Sequence, residues 1–179
     1  MSQIVVSAGA VAAALALLLM LYPASRPGTF RVERRARIDA SAARIFPYLA
    51  DLRRFNAWSP YERKDPALRG EYGALTSGVG ASDAWTSEKA GVGRFEITEL
   101  AEPSRVTMRL DFVKPFDAHN VAEFTLRPDG DATVVTWAMH GPSPFPSKLI
   151  QVFFSIDKMV GADFSAGLAN LKALAEGRA

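Results

Sequence analysis

Apolar and polar residues alternate along much of the chain, and this period of two predicts β-strands. In the stretch 29–40, Phe30, Val32 and Ile38 share one face, while Glu33 and several arginines occupy the other. The same alternation recurs in the stretches 91–100, 104–113, 118–128 and 131–141. Since each of these strands has one apolar face, we expect an antiparallel sheet that is covered on one side.

Helical spacing precedes and follows these strands. Apolar residues recur every three or four positions in the stretch 147–176, which predicts a long amphipathic helix. Two short helices are expected at about 42–51 and 52–57, and Pro47 keeps the first one short. The glycine-rich stretch 67–88 has room for two short strands. This order predicts an α+β fold in which a curved antiparallel sheet wraps around the C-terminal helix and leaves a space beside it.

Two glycines interrupt the predicted long helix. Glycine costs about 1 kcal/mol relative to alanine inside a helix, so Gly161 and Gly167 require a structural reason. We expect that the helix either approaches the sheet closely or bends at these two positions.

The beginning of the chain is dominated by a long uncharged run. From Ile4 to Tyr22 the run would form a helix about 28 Å long, close to the thickness of a bilayer's hydrocarbon core. We predict a transmembrane anchor and linker over residues 1–28 and one globular domain over residues 29–179. The arginines after the run place that domain in the cytoplasm, at the inner membrane.

Two alternatives to an anchor remain for this run, a cleaved signal peptide and a buried core helix. A signal peptide begins with basic side chains, and the first three residues, Met-Ser-Gln, carry none. A terminal run of this length without a charge is unusual for a core helix. The anchor is therefore the interpretation that we favour.

Composition excludes several classes of function. The chain has no cysteine, which excludes disulfides, thiolate metal sites and cysteine nucleophiles. The net charge is only +2, from 21 basic and 19 acidic residues, which is too weak a signal for a nucleic-acid-binding protein. Strand alternation places His119 and His140 on the outer face of the sheet, without a third ligand. We therefore predict no metal ion, no cofactor and no nucleic-acid partner.

Several segments resemble the START/Bet v 1-like superfamily, also called SRPBCC, and in particular its bacterial polyketide cyclase-like members. The resemblance is carried by FNAWSPYERKDPAL, GVGASDAW, GVGRFEITE, LDFVKPFDAHNVAEFTL, VVTWAMHG and DKMVGADFSAGLANLK. These segments span about residues 30–175 of the chain. The resemblance implies the helix-grip fold with a hydrophobic ligand cavity between the sheet and the long helix. It implies no single activity, because the superfamily includes lipid carriers, hormone receptors and ring cyclases.

The resemblance also suggests a role for the segment 55–66, FNAWSPYERKDP, which has neither strand nor helix periodicity. In the helix-grip fold this segment lies at the mouth of the cavity. Trp58 and Tyr61 would then form the rim and offer an indole N–H and a phenol O–H to a ligand. The alternative is that both aromatics close the end of the sheet as ordinary core residues.

Polar residues on inner faces are the candidates for chemistry. Asp83 shares a face with Trp85, Asn120 shares a face with Phe124, and Asp157 borders the apolar stripe of the long helix. A buried carboxylate needs a donor, a water molecule or a ligand, and burial would raise the pKa of Asp83 toward the range useful for acid–base catalysis. The alternative is a position at a strand end, in contact with water. Members of the superfamily often carry tyrosine at this position, so the chain departs from them here.

We predict a cavity lined by aromatic, methionine and polar side chains. The expected ligand-binding residues are Trp58, Tyr61, Asp83, Trp85, Met108, Asn120, Trp137, Met139, Phe153 and Asp157. The favoured function is membrane-tethered binding of a hydrophobic small molecule such as a lipid, a quinone or a polyketide-like compound. An alternative is a cyclase or aromatase-like dehydratase that uses cavity carboxylates. A second alternative is a non-catalytic partner in a membrane complex.

Overall fold

The computed structural model describes residue 17, residues 19–115 and residues 117–178. Within these residues seven strands form one antiparallel sheet, with β1 at Thr29–Ile38, β2 at Arg69–Tyr72, β3 at Ser82–Ser87, β4 at Gly91–Ala101, β5 at Arg105–Lys114, β6 at Ala118–Asp129 and β7 at Ala132–Pro142. The order across the sheet is β1-β7-β6-β5-β4-β3-β2. Together with a helix at the C-terminal end, this sheet confirms the expected α+β, helix-grip architecture.

The predicted alternation is visible in β1. Val32 and Ile38 are buried in the core. On the outer face, Glu33 accepts hydrogen bonds from the guanidinium groups of Arg31 and Arg35. Because successive side chains of a strand point to opposite faces, one strand supplies both a core surface and a charged outer surface.

Four short helices, rather than the expected two, connect β1 to β2. They are α1 (Ala42–Ile45), α2 (Pro47–Ala50), α3 (Leu52–Trp58) and α4 (Pro60–Lys64). Pro47 and Pro60 each occupy the first turn of a helix, where the missing proline N–H costs nothing. Asp51 starts α3 because its carboxylate accepts the backbone N–H of Arg53 at 2.9 Å. The segment 55–66 is therefore largely helical.

The predicted long C-terminal helix is divided into α5 (Phe145–Phe153) and α6 (Ile156–Ala175). Phe154 and Ser155 have extended backbones between the two helices. The Ser155 hydroxyl accepts the backbone N–H of Lys158 at 3.2 Å, so this serine starts a new helix instead of continuing the first. The apolar stripe of α6 is buried against the sheet.

Both glycines of the predicted helix lie at close approaches. A Cβ atom at Gly167 would lie 2.7 Å from Cζ3 of Trp137 and 3.3 Å from Cζ3 of Trp58. A Cβ atom at Gly161 would overlap the guanidinium of Arg34 on β1. The expectation of a close approach to the sheet is therefore confirmed.

The predicted anchor, Ile4–Tyr22, lies largely outside the described residues. Residues 19–25 are helical. Among the described helices, none has both the length and the apolar character needed to cross a membrane. The anchor therefore stays a prediction from the sequence.

Candidate ligand-binding cavity

A cavity of about 250 Å³ lies between the sheet and the helices α3, α4 and α6. Its apolar lining consists of Phe55, Leu68, Trp85, Ala90, Phe95, Met108, Leu110, Phe112, Ala122, Phe124, Trp137, Val160 and Phe164. Its polar lining consists of Asn56, Ser59, Tyr61, Glu62, Asp83 and Asp163. The volume lies just below the range of roughly 300–1,000 Å³ that is common for ligand sites, which suits a small ligand.

Strand alternation explains how β5 contributes to the wall. Met108, Leu110 and Phe112 point into the cavity. Between them, Arg109 and Asp111 point outward and form an ion pair at 3.0 Å. The period of two in the sequence therefore separates a ligand-facing row from a charged outer row on the same strand.

Trp85 joins two other aromatic rings in one wall of the cavity. Its ring lies edge-to-face on Phe112, with centroids 5.5 Å apart, and near Phe95 at 6.1 Å. The indole N–H donates to the backbone carbonyl of Ala90 at 3.3 Å. Because this donor is already used, Trp85 offers a ligand its ring surface.

Asp83 is the most buried charged residue of the cavity, with 3% of its surface exposed. One carboxylate oxygen, Oδ2, accepts a hydrogen bond from Nδ2 of Asn56 at 2.7 Å. The same amide nitrogen donates to the hydroxyl of Tyr72 at 3.1 Å. The other oxygen, Oδ1, is buried and has no hydrogen-bond partner in the described part of the chain. Burial raises the pKa of Asp83, against the smaller opposing effects of the Asn56 hydrogen bond and of the backbone N–H of Glu71.

Two further carboxylates line the cavity. Burial raises the pKa of Glu62, and the nearby charge of Asp83 raises it further. Asp163 forms an ion pair with the ammonium group of Lys64, whose side chain is half exposed. Burial also raises the pKa of the Tyr61 phenol, with a smaller contribution from Asp163. The polar part of the lining is therefore acidic.

The ammonium group of Lys64 compensates one lining carboxylate, Asp163, from outside the lining. Among the described residues that line the cavity, none is lysine, arginine or histidine. The carboxylates do not form a metal site either, since the described chain contains no group of three or more His, Asp or Glu placed to hold a metal ion. The carboxylates therefore give the cavity an acidic lining.

Half of the residues expected at the site line the cavity. They are Tyr61, Asp83, Trp85, Met108 and Trp137. Trp58 does not line it, because this residue ends α3 with no exposed surface and packs against Trp137 with ring centroids 5.5 Å apart. Its indole N–H donates to the carbonyl of Tyr48 at 2.9 Å. The structure therefore places Trp58 in the core rather than at a cavity rim.

Asn120 and Met139 are buried on the inner face of the sheet but outside the cavity lining. Asn120 packs so closely on β7 that its Oδ1 occupies the space where Gly141 would carry a Cβ atom. Met139 belongs to the hydrophobic core. The strand alternation thus predicted correctly that both side chains point to the inner face of the sheet. Their positions along the strands place them away from the cavity.

Asp157 lies on the surface, in the first turn of α6. Its Oδ1 accepts a hydrogen bond from Nη1 of Arg34 at 2.9 Å, and this ion pair holds the pKa of Asp157 below its usual value. The α6 helix therefore directs Asp157 toward β1 and away from the cavity. The side chain of Phe153, at the end of α5, lies outside the described part of the structure.

The sequence interpretation missed four polar lining residues, Asn56, Ser59, Glu62 and Asp163. Helical spacing offered a signal for Asp163, which follows Val160 by one turn and precedes Phe164. Nothing in the sequence distinguished Asn56 or Glu62. Both residues come close to Asp83 only through the packing of α3 and α4 against the sheet.

The two histidines lie away from the cavity lining. Nδ1 of His119 lies 2.8 Å from Oδ1 of Asp111 on the exposed outer face. This contact raises the pKa of His119. His140, on β7, is also outside the cavity lining.

Comparisons with known proteins identify the family and the fold. The sequence model of the family described as "Polyketide cyclase / dehydrase and lipid transport" matches residues 29–176. None of the curated proteins matches the chain significantly.

Three solved structures illustrate the shared fold. CV1439 from Chromobacterium violaceum is 16% identical with a TM-score of 0.59, and the match covers 84% of this chain and 99% of that one. Ms6760 from Mycobacterium smegmatis is 21% identical with a TM-score of 0.56, covering 80% and 89%. DynU16, a protein of the dynemicin biosynthetic locus, is 18% identical with a TM-score of 0.55, covering 82% and 48%. At these identities the likeness concerns the fold alone.

Proposed function

The chain belongs to the family of polyketide cyclases/dehydrases and lipid-transport proteins, and on this premise we propose that its cavity binds a small hydrophobic molecule. The observation that carries the proposal is the cavity of about 250 Å³ with its largely apolar wall. Burying apolar ligand surface there contributes roughly 25 cal/mol per Å². The few polar groups of the lining would orient the ligand.

Extraction of the purified full chain tests this function directly. We expect organic extracts to contain a hydrophobic compound by mass spectrometry, and we expect the same compound to raise the melting temperature of the stripped protein. A matched pair of variants locates the binding. Ala122→Phe, on β6, fills the cavity and should abolish the shift in melting temperature. Ala84→Phe adds the same ring on β3, on the face of the sheet that points away from the cavity, and should preserve the shift.

An empty extract would count against binding. If, in addition, no compound from a lipid, quinone and polyketide panel shifts the melting temperature, the proposal is overturned. A shift that persists in Ala122→Phe would move the binding to another part of the molecule.

One observation favours a second candidate function, a cyclase or dehydratase reaction. Asp83 combines a raised pKa with a carboxylate oxygen that has no partner among the described residues, inside a mostly apolar cavity. Such a carboxylate can take a proton from the carbon between two carbonyl groups. The resulting enolate attacks another carbonyl group of the same poly-β-ketone substrate. The alkoxide that forms then takes the proton back from Asp83.

Cyclisation of a short poly-β-ketone analogue tests this second candidate. Asp83→Asn should abolish the cyclised product, and Asp157→Asn, on the surface, should leave it unchanged. Turnover that survives Asp83→Asn would remove the proposed base.

We also propose that the run from Ile4 to Tyr22 tethers the domain to the cytoplasmic membrane. Support comes from its uncharged sequence and from apolar side chains at the adjoining surface of the domain. Phe145, Ile150 and Phe154 are exposed on and after α5. Tyr22 and Phe154 line the same groove, so Phe154 lies near the end of the run.

Membrane fractionation tests the tether. The full chain should remain in the membrane pellet after an alkaline carbonate wash, and Leu15→Arg should release it, since arginine at the centre of a spanning helix costs about 2.5–3.5 kcal/mol. Leu15→Ile is the matched control. A full chain that is washed free, or a Leu15→Arg variant that stays bound, would contradict the tether.

A further inference from the structure

The charge of the side chains that line the cavity restricts the chemical class of the ligand more than the volume of the cavity does. Three carboxylic acids, Glu62, Asp83 and Asp163, line the cavity, and no basic side chain does so among the described residues. We propose that the cavity selects a small molecule that carries a protonated amine on an apolar, ring-containing body. This inference rests on the proposed binding function and adds the chemical class of the ligand.

Asp83 supplies the contact point for the amine. Asn56 holds Oδ2 at 2.7 Å and is itself held by Tyr72, so the orientation of the carboxylate is set. Oδ1 remains without a hydrogen-bond partner although the residue is 3% exposed. A buried acceptor left unsatisfied is costly. An ammonium group of a ligand bound beside Asp83 would stabilise this carboxylate through a charge-assisted hydrogen bond.

Three basic side chains near the site have partners other than Asp83, and one of them, Lys64, compensates the lining carboxylate of Asp163. Lys64 forms its ion pair with Asp163. The guanidinium of Arg53 lies over the ring of Tyr72, 4.8 Å from its centroid. The ammonium of Lys89 donates to the backbone carbonyl of Lys64 at 3.4 Å. None of these cations is a hydrogen-bond partner of Asp83 Oδ1.

Glu62 strengthens the preference for a cation. The charge of Asp83 raises the pKa of Glu62, which means that the two carboxylates disfavour each other's ionised form. A positive charge placed between them would relieve this repulsion, whereas a ligand carboxylate would add to it. The cavity is therefore expected to reject anions as well as to favour cations.

The rest of the wall suits the apolar part of such a ligand. The rings of Phe95, Trp85 and Phe112 follow one another along the wall, with Phe95 and Phe112 each about 6 Å from Trp85. Aromatic faces attract cations as well as other rings. The volume of about 250 Å³ fits one ring with a short chain.

Three probes of nearly equal shape test the inference: 4-phenylbutylamine, 4-phenylbutan-1-ol and 4-phenylbutyrate. Their affinities for the full chain are measured by isothermal titration calorimetry at pH 7 and constant salt. We expect the amine to bind at least about tenfold more tightly than the alcohol, as a charge-assisted hydrogen bond allows. The carboxylate should bind most weakly.

Matched variants assign the preference to Asp83. Asp83→Asn should remove the advantage of the amine while the affinity for the alcohol stays within about threefold, which also shows that the cavity is intact. Asp111→Asn removes an equal charge from the outer face of the sheet and should leave the preference unchanged. Glu62→Gln should reduce it partially.

Several results would overturn the inference. Equal binding of amine and alcohol, or tighter binding of the alcohol, rejects the amine but leaves hydrophobic binding standing. An amine preference that persists in Asp83→Asn rejects the assigned contact. If none of the probes binds, the ligand class is wrong, and the extraction experiment judges the binding function separately.

Discussion

The two halves of the sheet meet α6 in different ways. Beside β1 and β7 the helix packs directly, since Leu168 and Leu171 are buried. Phe164 and Trp137, whose ring centroids are 4.0 Å apart, stack at the border between this packed region and the cavity. On the side of β3, β4 and β5, α6 contributes to the cavity lining only with its first turns, around Val160. The first half is a filled core, and the second half contains the cavity.

Geometry explains this difference. Seven strands at about 4.8 Å spacing make a sheet roughly 29 Å wide, whereas a helix with its side chains is about 10–12 Å in diameter. One helix therefore cannot cover the whole sheet, even when the sheet curves. The short helices α3 and α4 cover the remaining part incompletely, and the cavity lies beneath them.

The largest expected effect comes from truncating the same residue type in each half. Leu171→Ala, in the filled half, should lower the free energy of unfolding by about 2–5 kcal/mol, because this side chain is fully buried. Leu110→Ala, in the half-buried cavity wall, should cost only about 1 kcal/mol. Urea denaturation measures both values. Equal losses would mean that the cavity half is packed as firmly as the core.

A smaller effect is expected where α6 touches the sheet. In Gly167→Ala the new Cβ would lie 2.7 Å from Trp137 and 3.0 Å from Pro60. Overpacking costs about 1–3 kcal/mol, partly offset by about 1 kcal/mol of helix propensity. Thermal denaturation should show a lower midpoint. Gly28→Ala, with no atom within 4 Å of its Cβ, is the control, and a stabilised Gly167→Ala variant would contradict the close approach.

The cavity half should respond to pH in a characteristic direction. Because burial raises the pKa of Asp83, the folded state holds this proton more tightly than the unfolded state does. Stability should therefore fall as pH rises from about 4, the pKa of an unfolded aspartate, through the raised value of the folded protein. Asp83→Asn should lack this loss, so the difference from the unmodified chain should grow with pH. Denaturation midpoints at pH 4 and pH 7 measure it, and a constant difference would contradict the raised pKa.

The smallest effect is expected at the surface of the filled half. Arg34 lowers the pKa of Asp157, so any stability from this ion pair is present above the unfolded pKa and is lost as pH falls through the folded value. The Asp157 side chain is largely exposed, and such pairs contribute little. Asp157→Ala should give a thermal midpoint at pH 7 close to that of the unmodified chain and unchanged ligand binding. A change in ligand affinity would show that Asp157 acts on the cavity after all.

The period of two and the helical spacing were enough to predict the sheet, the covering helix and the side chains that face inward. They placed Met108, Asp83 and Trp137 on the correct face, because the direction of a side chain in a regular element depends on local backbone geometry. They could not predict the start of a second helix at Ser155, where one hydrogen bond to the backbone competes with continued helix formation.

The amino-acid sequence by itself determined which face of each element is apolar, and the alternation of residues along β5 and β6 is the reason. Only the tertiary structure decided which of these inward residues surround empty space. Trp58 and Met139 became core, while Asn56 and Glu62 joined Asp83, because α3 and α4 approach the sheet from positions distant in the chain. Distances between elements depend on the packing of the whole chain, and local periodicity carries no information about them.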